Sequence, residues 1–327
     1  MAISTALTKR LGISHPVLLA PMDVVADARL AAAVSAAGGF GILGGGYGDE
    51  PWLTRELERL AASQARFGVG FITWSLAKQP HLLDLVLERK PAAIMLSFGD
   101  PQPFIERIKQ GGALVLCQIQ SLALAQAAAE AGADILIAQG SEAGGHGASR
   151  GLLALVPEVV DAIGPAIPIV AAGGIADGRG LAAALMLGAS GVLMGTRFYA
   201  TAEAAGAPAA KARICAATGD ETLRSIVFDI SRRTVWPAPF TGRCLRNAHL
   251  ERWYGREVEL LRQLDEEATT YLAARRAGNF DIAAVIAGES AGLVHGIASA
   301  QDVVDQVVRD ASALLAGGRL QLEADAA

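Results

Sequence analysis

One histidine in this 327-residue chain stands apart from the other four. His146 lies in Gln139-Gly140-Ser141-Glu142-Ala143-Gly144-Gly145-His146-Gly147, a stretch poor in apolar side chains that follows an apolar run of strand length. Such a stretch belongs in a loop. An imidazole titrates near neutral pH and can remove or deliver a proton, an effect worth roughly 10²–10⁴ in rate. His146 is therefore the leading candidate for proton chemistry; a histidine that merely caps the loop is the alternative. Glu142 would orient the loop through backbone N–H groups, titrate itself, or serve as a surface carboxylate. Asp23 is equally open. His15, before a proline, reads as structural, and His81, near a helix start, as solvated. His249 and His295 lie in a helical tail, from which only His295 could approach a site. Cys117 sits inside an apolar run and reads as a small buried hydrophobe rather than a nucleophile.

Two glycine-containing turns suggest a second kind of chemistry. Gly173-Gly174 and Gly195-Thr196 each follow a short apolar run. Glycines let backbone N–H groups approach phosphate oxygens, a threonine hydroxyl adds a donor, and a following helix N-terminus favours negative charge. The plainer alternative is that the glycines only make tight turns.

The elements that must position these residues alternate regularly. Strand-length apolar runs occupy 16–20, 40–43, 67–72, 92–96, 113–118, 134–138, 167–171 and 191–194, with Ala/Leu-rich helical stretches between them. Most are unbroken rather than alternating, as expected of parallel strands covered on both faces. Several helical stretches end in glycine, a residue free to take the left-handed stop conformation. Eight strand–helix units predict an α/β fold, a (β/α)8 TIM barrel, whose chemistry lies at the C-terminal strand ends. The competitor, a doubly wound open sheet, lacks a GxGxxG after the first strand. Beyond Thr201 the texture changes: polar aromatics, many arginines, and one or two long exposed helices across 251–275. Residues 1–205 and 292–327 are therefore read as the barrel and 206–291 as a helical insertion domain, with 300–315 the closing helix.

Composition sets outer limits. Hydrophobic residues are 52%, charged residues 19%, and the net charge is −5, which excludes a disordered chain. No basic block offers a footprint for nucleic acid or an anionic membrane. Three scattered cysteines without CxxC give neither a disulfide framework nor a zinc site. No carboxylate–histidine cluster has metal-ligand spacing, so no metal is expected. A long uncharged stretch, 30–48, holds seven glycines and reads as a helix end plus a strand, not a membrane span. With no export signal seen, the expected location is cytoplasmic. The composition is compatible with a homodimer.

These segments resemble the nitronate monooxygenase family. The resemblance rests on Ala20-Pro21-Met22, QGSEAGGHG at 139–147, PIVAAGGIADGRG at 168–180, GVLMGTRF at 191–198 and GESAGLVHGI at 288–297. It spans nearly the whole chain. It implies an FMN-containing barrel in which Gly173, Gly174, Gly195 and Thr196 hold the phosphate, with Gly144, Gly145 and Ala172 beside them. Ala20, Pro21 and Met22 would pass their backbone along the isoalloxazine. Gln118 and Gln139 would contact the ribityl chain or ring edge, and His146 would be the base. The implied activity is oxidation of alkyl nitronates or nitroalkanes by O2 to a carbonyl compound and nitrite, in a mouth lined by Met22, Phe71 and Trp74. Gly70 is a departure, since many members carry Asn there. Flavin enoyl-acyl-carrier-protein reductases and NAD(P)H:quinone reductases resemble the same segments, so an NAD(P)H-dependent flavin reductase is the alternative. A flavin-free phosphate-binding isomerase or lyase and a non-catalytic binding barrel are the readings from other classes.

Overall fold

The computed structural model describes residues 3–317. Its strands are β1 (Val17–Leu19), β2 (Gly41–Gly44), β3 (Phe67–Ile72), β4 (Ala93–Ser97), β5 (Leu114–Ile119) and β6 (Ile135–Gln139). They continue with β7 (Gly145–Gly147), β8 (Ile169–Ala172), β9 (Gly191–Met194), β10 (Thr222–Ser225) and β11 (Thr241–Leu245). Eight of them form one parallel sheet in the order β1-β9-β8-β6-β5-β4-β3-β2. The ring closes between its two ends, where Leu18 bridges Phe40 and Leu19 N donates to Phe40 O at 3.0 Å. The molecule is the expected α/β barrel.

The strands are nearly continuous apolar runs because both of their faces are covered. Leu18, Ile42, Met95, Leu116, Ile137 and Val170 fill the interior. The helix Ala6–Leu11 plugs the bottom with Leu7 and Leu11, both fully buried. Their neighbours along each strand face the outer helices. This alternation corrects one expectation. Phe71 shares the outward side of β3 with Phe67 and Val69 and is buried under the helices, so it does not line the mouth. The inward side of β3 carries Gly68 and Gly70. A Cβ on Gly70 would overlap the Pro21 ring, so the close approach of Pro21 explains the glycine there.

Residues 206–291 contribute strands as well as helices. β10, β11 and β7 form an antiparallel sheet in which Gly242 is opposite His146. The stretch 251–275 is broken into Ala248–Trp253, Glu257–Arg262 and Leu264–Ala277, with Gly255 at φ +77°. Its Trp253 and Tyr271 are buried, so it is not a solvated rod. The helix Ala300–Leu315 packs on Gly178–Met186 of the barrel. No helix among the described residues is long and apolar enough to cross a membrane.

Candidate active site

His146 is not on a free loop. It is the middle residue of β7 and is fixed by β11, whose pairing residue lies far along the chain. Its carbonyl accepts from Gln139 Nε2 at 2.9 Å. Gln139 Oε1 in turn accepts from Gln118 Nε2 at 3.1 Å and Gln120 Nε2 at 2.9 Å. The buried Gln139 amide is thus largely spent on positioning the His146 backbone. Gln118, half-buried, keeps its carbonyl oxygen for other partners.

The His146 side chain is held from 206–291. Its Nε2 lies 2.9 Å from Asp229 Oδ2 and 3.1 Å from Oδ1. Asp229 sits in the helix Val227–Ser231 and also pairs with Arg232 at 2.5 Å. The Trp236 ring stacks on the imidazole at 3.4 Å between centroids and 7° between planes. Trp236 also meets Trp74 and Phe98 edge to face, and its Nε1 donates to Tyr47 Oη at 3.0 Å. Phe240 joins this cluster through Phe98. Burial pushes the His146 pKa below the ordinary histidine range; the bond to Asp229 opposes that shift, and Arg232 and Arg224 reinforce it. The shift favours the neutral imidazole, the state a general base requires.

Arg224 holds the loop that carries His146. It donates to the carbonyls of Ser141 (3.0 Å), Ala143 (3.0 Å), Gly145 (3.2 Å) and Thr241. Burial lowers its pKa to about 10. Glu142 accepts from Leu152 N at 3.0 Å, which places it at the start of the helix Leu152–Ile163, the orienting role among its alternatives.

The two glycine turns follow the adjacent strands β8 and β9. Gly173 (φ +111°) and Gly174 (φ +70°) take backbone conformations that L side chains resist. Among the described residues, the N–H groups of Gly173, Gly174 and Gly195 donate to no protein acceptor. Thr196 Oγ1 accepts from Gly288 N at 2.9 Å, and a Cβ on Gly144 would run into the Gly288 backbone. The 139–147 segment, both glycine turns and the 288 turn therefore converge. The nearest atoms to a Cβ on Gly195 would be Ala20 Cβ and Met22 Sδ, both at 3.5 Å, so the first strand's end borders the same place. Ala172 is buried, and its carbonyl accepts from Gly140 N at 2.8 Å. At the ends of β3 and β4, Thr73 Oγ1 and Ser97 Oγ are buried without protein partners. Free N–H groups at one end and orphaned hydroxyls at the other suit a ligand with an anionic tail and a polar ring.

Some expected candidates lie elsewhere. His249 is buried against Ser231, His295 is exposed, and His81 pairs with Glu50 in solvent. Burial pushes the Cys117 thiol up to about 12, so it is no nucleophile. Asp229, Arg232, Arg224, Tyr47, Phe98 and Phe240 were not expected at the site. Asp229 had one local signal: in Val227-Phe228-Asp229-Ile230 a carboxylate is flanked by apolar residues, and such a group requires a partner when buried.

A family model described as nitronate monooxygenase matches residues 4–75 and 56–310. A nitronate monooxygenase from Neurospora crassa is 32% identical, covering 91% of this chain and 89% of that protein. A (3aS,4S,5R,7aS)-5-hydroxy-7a-methyl-1-oxo-octahydro-1H-indene-4-carboxyl-CoA dehydrogenase from Mycobacterium tuberculosis is also 32% identical, covering 95% of this chain and 97% of that one. Among solved structures, FabK from Thermotoga maritima superposes with a TM-score of 0.86 at 32% identity, covering 97% of this chain and 99% of that one. A nitroalkane oxidase from Streptomyces ansochromogenes gives 0.80 at 27% identity, covering 96% and 99%.

Proposed function

We propose that this chain, which belongs to the nitronate monooxygenase family, binds FMN and oxidises nitroalkanes and their nitronates. The observation that carries this reading is a buried His146 bonded to Asp229, on a segment that converges with strand ends whose glycine N–H groups lack acceptors. Gly173, Gly174, Gly195 and Thr196 would hold the phosphate, and Ala20, Pro21, Met22 and Gln118 would border the flavin ring and chain. Bound FMN supplies the electron transfer between the nitronate and O2.

The chain's own residues do the rest. A neutral nitroalkane carries an acidic α-C–H. His146 takes that proton, the C–H electron pair stays on the substrate as the nitronate, and Asp229 supports the imidazolium. The aromatic wall of Trp74, Phe98 and Trp236 excludes water from the reacting carbon. Overall, two nitronates and one O2 balance to two carbonyl compounds and two nitrites.

The test separates the proton step from the oxidation. His146→Asn should lower turnover of neutral nitroethane at least about 10²-fold while preformed ethyl nitronate is turned over within about tenfold of wild type. Undiminished nitroethane turnover would remove His146 as the base. The likeness to FabK supports a second reading, an NAD(P)H-dependent flavin reductase. Rapid anaerobic bleaching of the yellow protein by NADH or NADPH would favour it.

A further inference from the structure

The helix Val227–Ser231 touches two buried histidines and treats them differently. Its Ser231 Oγ is 2.8 Å from His249 Nε2, and Glu267 is 3.8 Å from His249 Nδ1. Both His249 nitrogens therefore face protein groups, as in a structural histidine. Its Asp229 takes only Nε2 of His146. Among the described residues, Nδ1 of His146 has no hydrogen-bond partner. The Trp236 ring, five residues beyond Ser231, covers the imidazole face and leaves the in-plane lone pairs clear.

We propose that residues 229–236 form a clamp on the base: Asp229 keeps a proton on Nε2 of His146 so that Nδ1 is the acceptor, and the stacked Trp236 ring supports the resulting imidazolium. A carboxylate accepts from an N–H, so its contact with Nε2 selects the tautomer with a bare Nδ1. When the substrate α-C–H breaks, the new N–H bond forms at Nδ1 and the ring becomes cationic between a carboxylate at its edge and an indole face. The charged groups around it are Asp229 on the helix, Arg232 just past its end and Arg224 on β10; the Tyr47 hydroxyl reaches it only through Trp236. Asp229 and Trp236 are positioning residues, since each acts through His146. The inference rests on the proposed nitroalkane chemistry for its function but not for its geometry.

The experiment begins with the flavin-loaded wild type, uniformly labelled with ¹⁵N-histidine, and ¹H–¹⁵N spectra that report which ring nitrogen of His146 carries hydrogen. The His146→Asn variant assigns the resonance. Expected is a protonated Nε2 and a bare Nδ1 above the titration range; a proton on Nδ1 overturns the proposal whatever the enzyme's substrate. Kinetics then follow. Asp229→Asn should lower nitroethane kcat about 10²-fold with KM changed less than about threefold, and should move the acid limb of kcat/KM to lower pH. Trp236→Leu should move the limb the same way by a smaller step, and Trp236→Phe should restore most of it. A limb that stays in place in both Asp229→Asn and Trp236→Leu would mean the clamp only packs the site. If His146→Asn leaves nitroethane turnover intact while the spectra show the bare Nδ1, the proposed reaction fails and the clamp stands.

Discussion

The two sides of the barrel mouth hold their chemistry by opposite means. At the ends of β8 and β9 the functional groups are main-chain N–H donors exposed by Gly173, Gly174 and Gly195. Around β7 they are side chains: His146 from one segment, Asp229 and Trp236 from another, Tyr47 and Phe98 from two more. The first side needs only that certain side chains be missing. The second needs several to arrive at one place, and it is built by chain outside the barrel strands. The anionic tail of the proposed cofactor can be met by backbone geometry. A base whose tautomer matters must be set by a specific partner.

The sharpest way to break this contrast is to fill the backbone side. Gly173→Val puts a branched side chain at φ +111° with its Cβ 3.0 Å from Ala143 N. Such strain costs about 1–3 kcal/mol before any ligand is displaced. The purified variant should retain less than about a tenth of the wild-type flavin absorbance per chain. Full flavin content would show that this turn does not cradle the phosphate.

The side-chain side responds to pH instead. Burial lowers the His146 pKa, so the folded protein disfavours the imidazolium. As pH falls through the ordinary histidine value of about 6.5, the unfolded chain takes a proton that folded His146 refuses, and stability drops. The same shift keeps the base neutral in that range. Wild-type kcat/KM for nitroethane should therefore hold as pH falls through about 6.5 and decline only below it. A decline centred above that value would contradict the buried, neutral base.

The smallest effect distinguishes one glycine from another. Gly195→Ala meets nothing closer than 3.5 Å, so the melting temperature should stay within about 2 °C of wild type. FMN affinity should still weaken several-fold if the position borders the phosphate. A large loss of stability with unchanged affinity would assign Gly195 to packing.

Much of the fold was legible along the chain. Mostly unbroken apolar runs separated by helices, several of them with glycine stops, repeat eight times, and two-sided burial of a parallel sheet favours such runs. The helix Ala300–Leu315 was legible from its amphipathic stripe alone. The reading of 251–275 as one or two long exposed helices falls short of the three helices present, whose Trp253 and Tyr271 are buried. Phe71 was misplaced for a simpler reason: apolar runs without alternation do not announce which parity faces inward. The glycine at position 70 has its reason in Pro21, which is distant in sequence and packed against it.

The sequence by itself determined the barrel, the two glycine turns and the identity of the histidine, since each is a property of residues close in the chain. Only the tertiary structure decided what that histidine is. Its pairing across β7 and β11, its bond to Asp229 and its stack with Trp236 join residues 83 or more positions apart. A contact at that separation depends on how the chain returns through residues 206–291 to the mouth, and no local pattern encodes the path. In the proposed mechanism the tautomer of the base, and so which nitrogen meets the substrate, is set there.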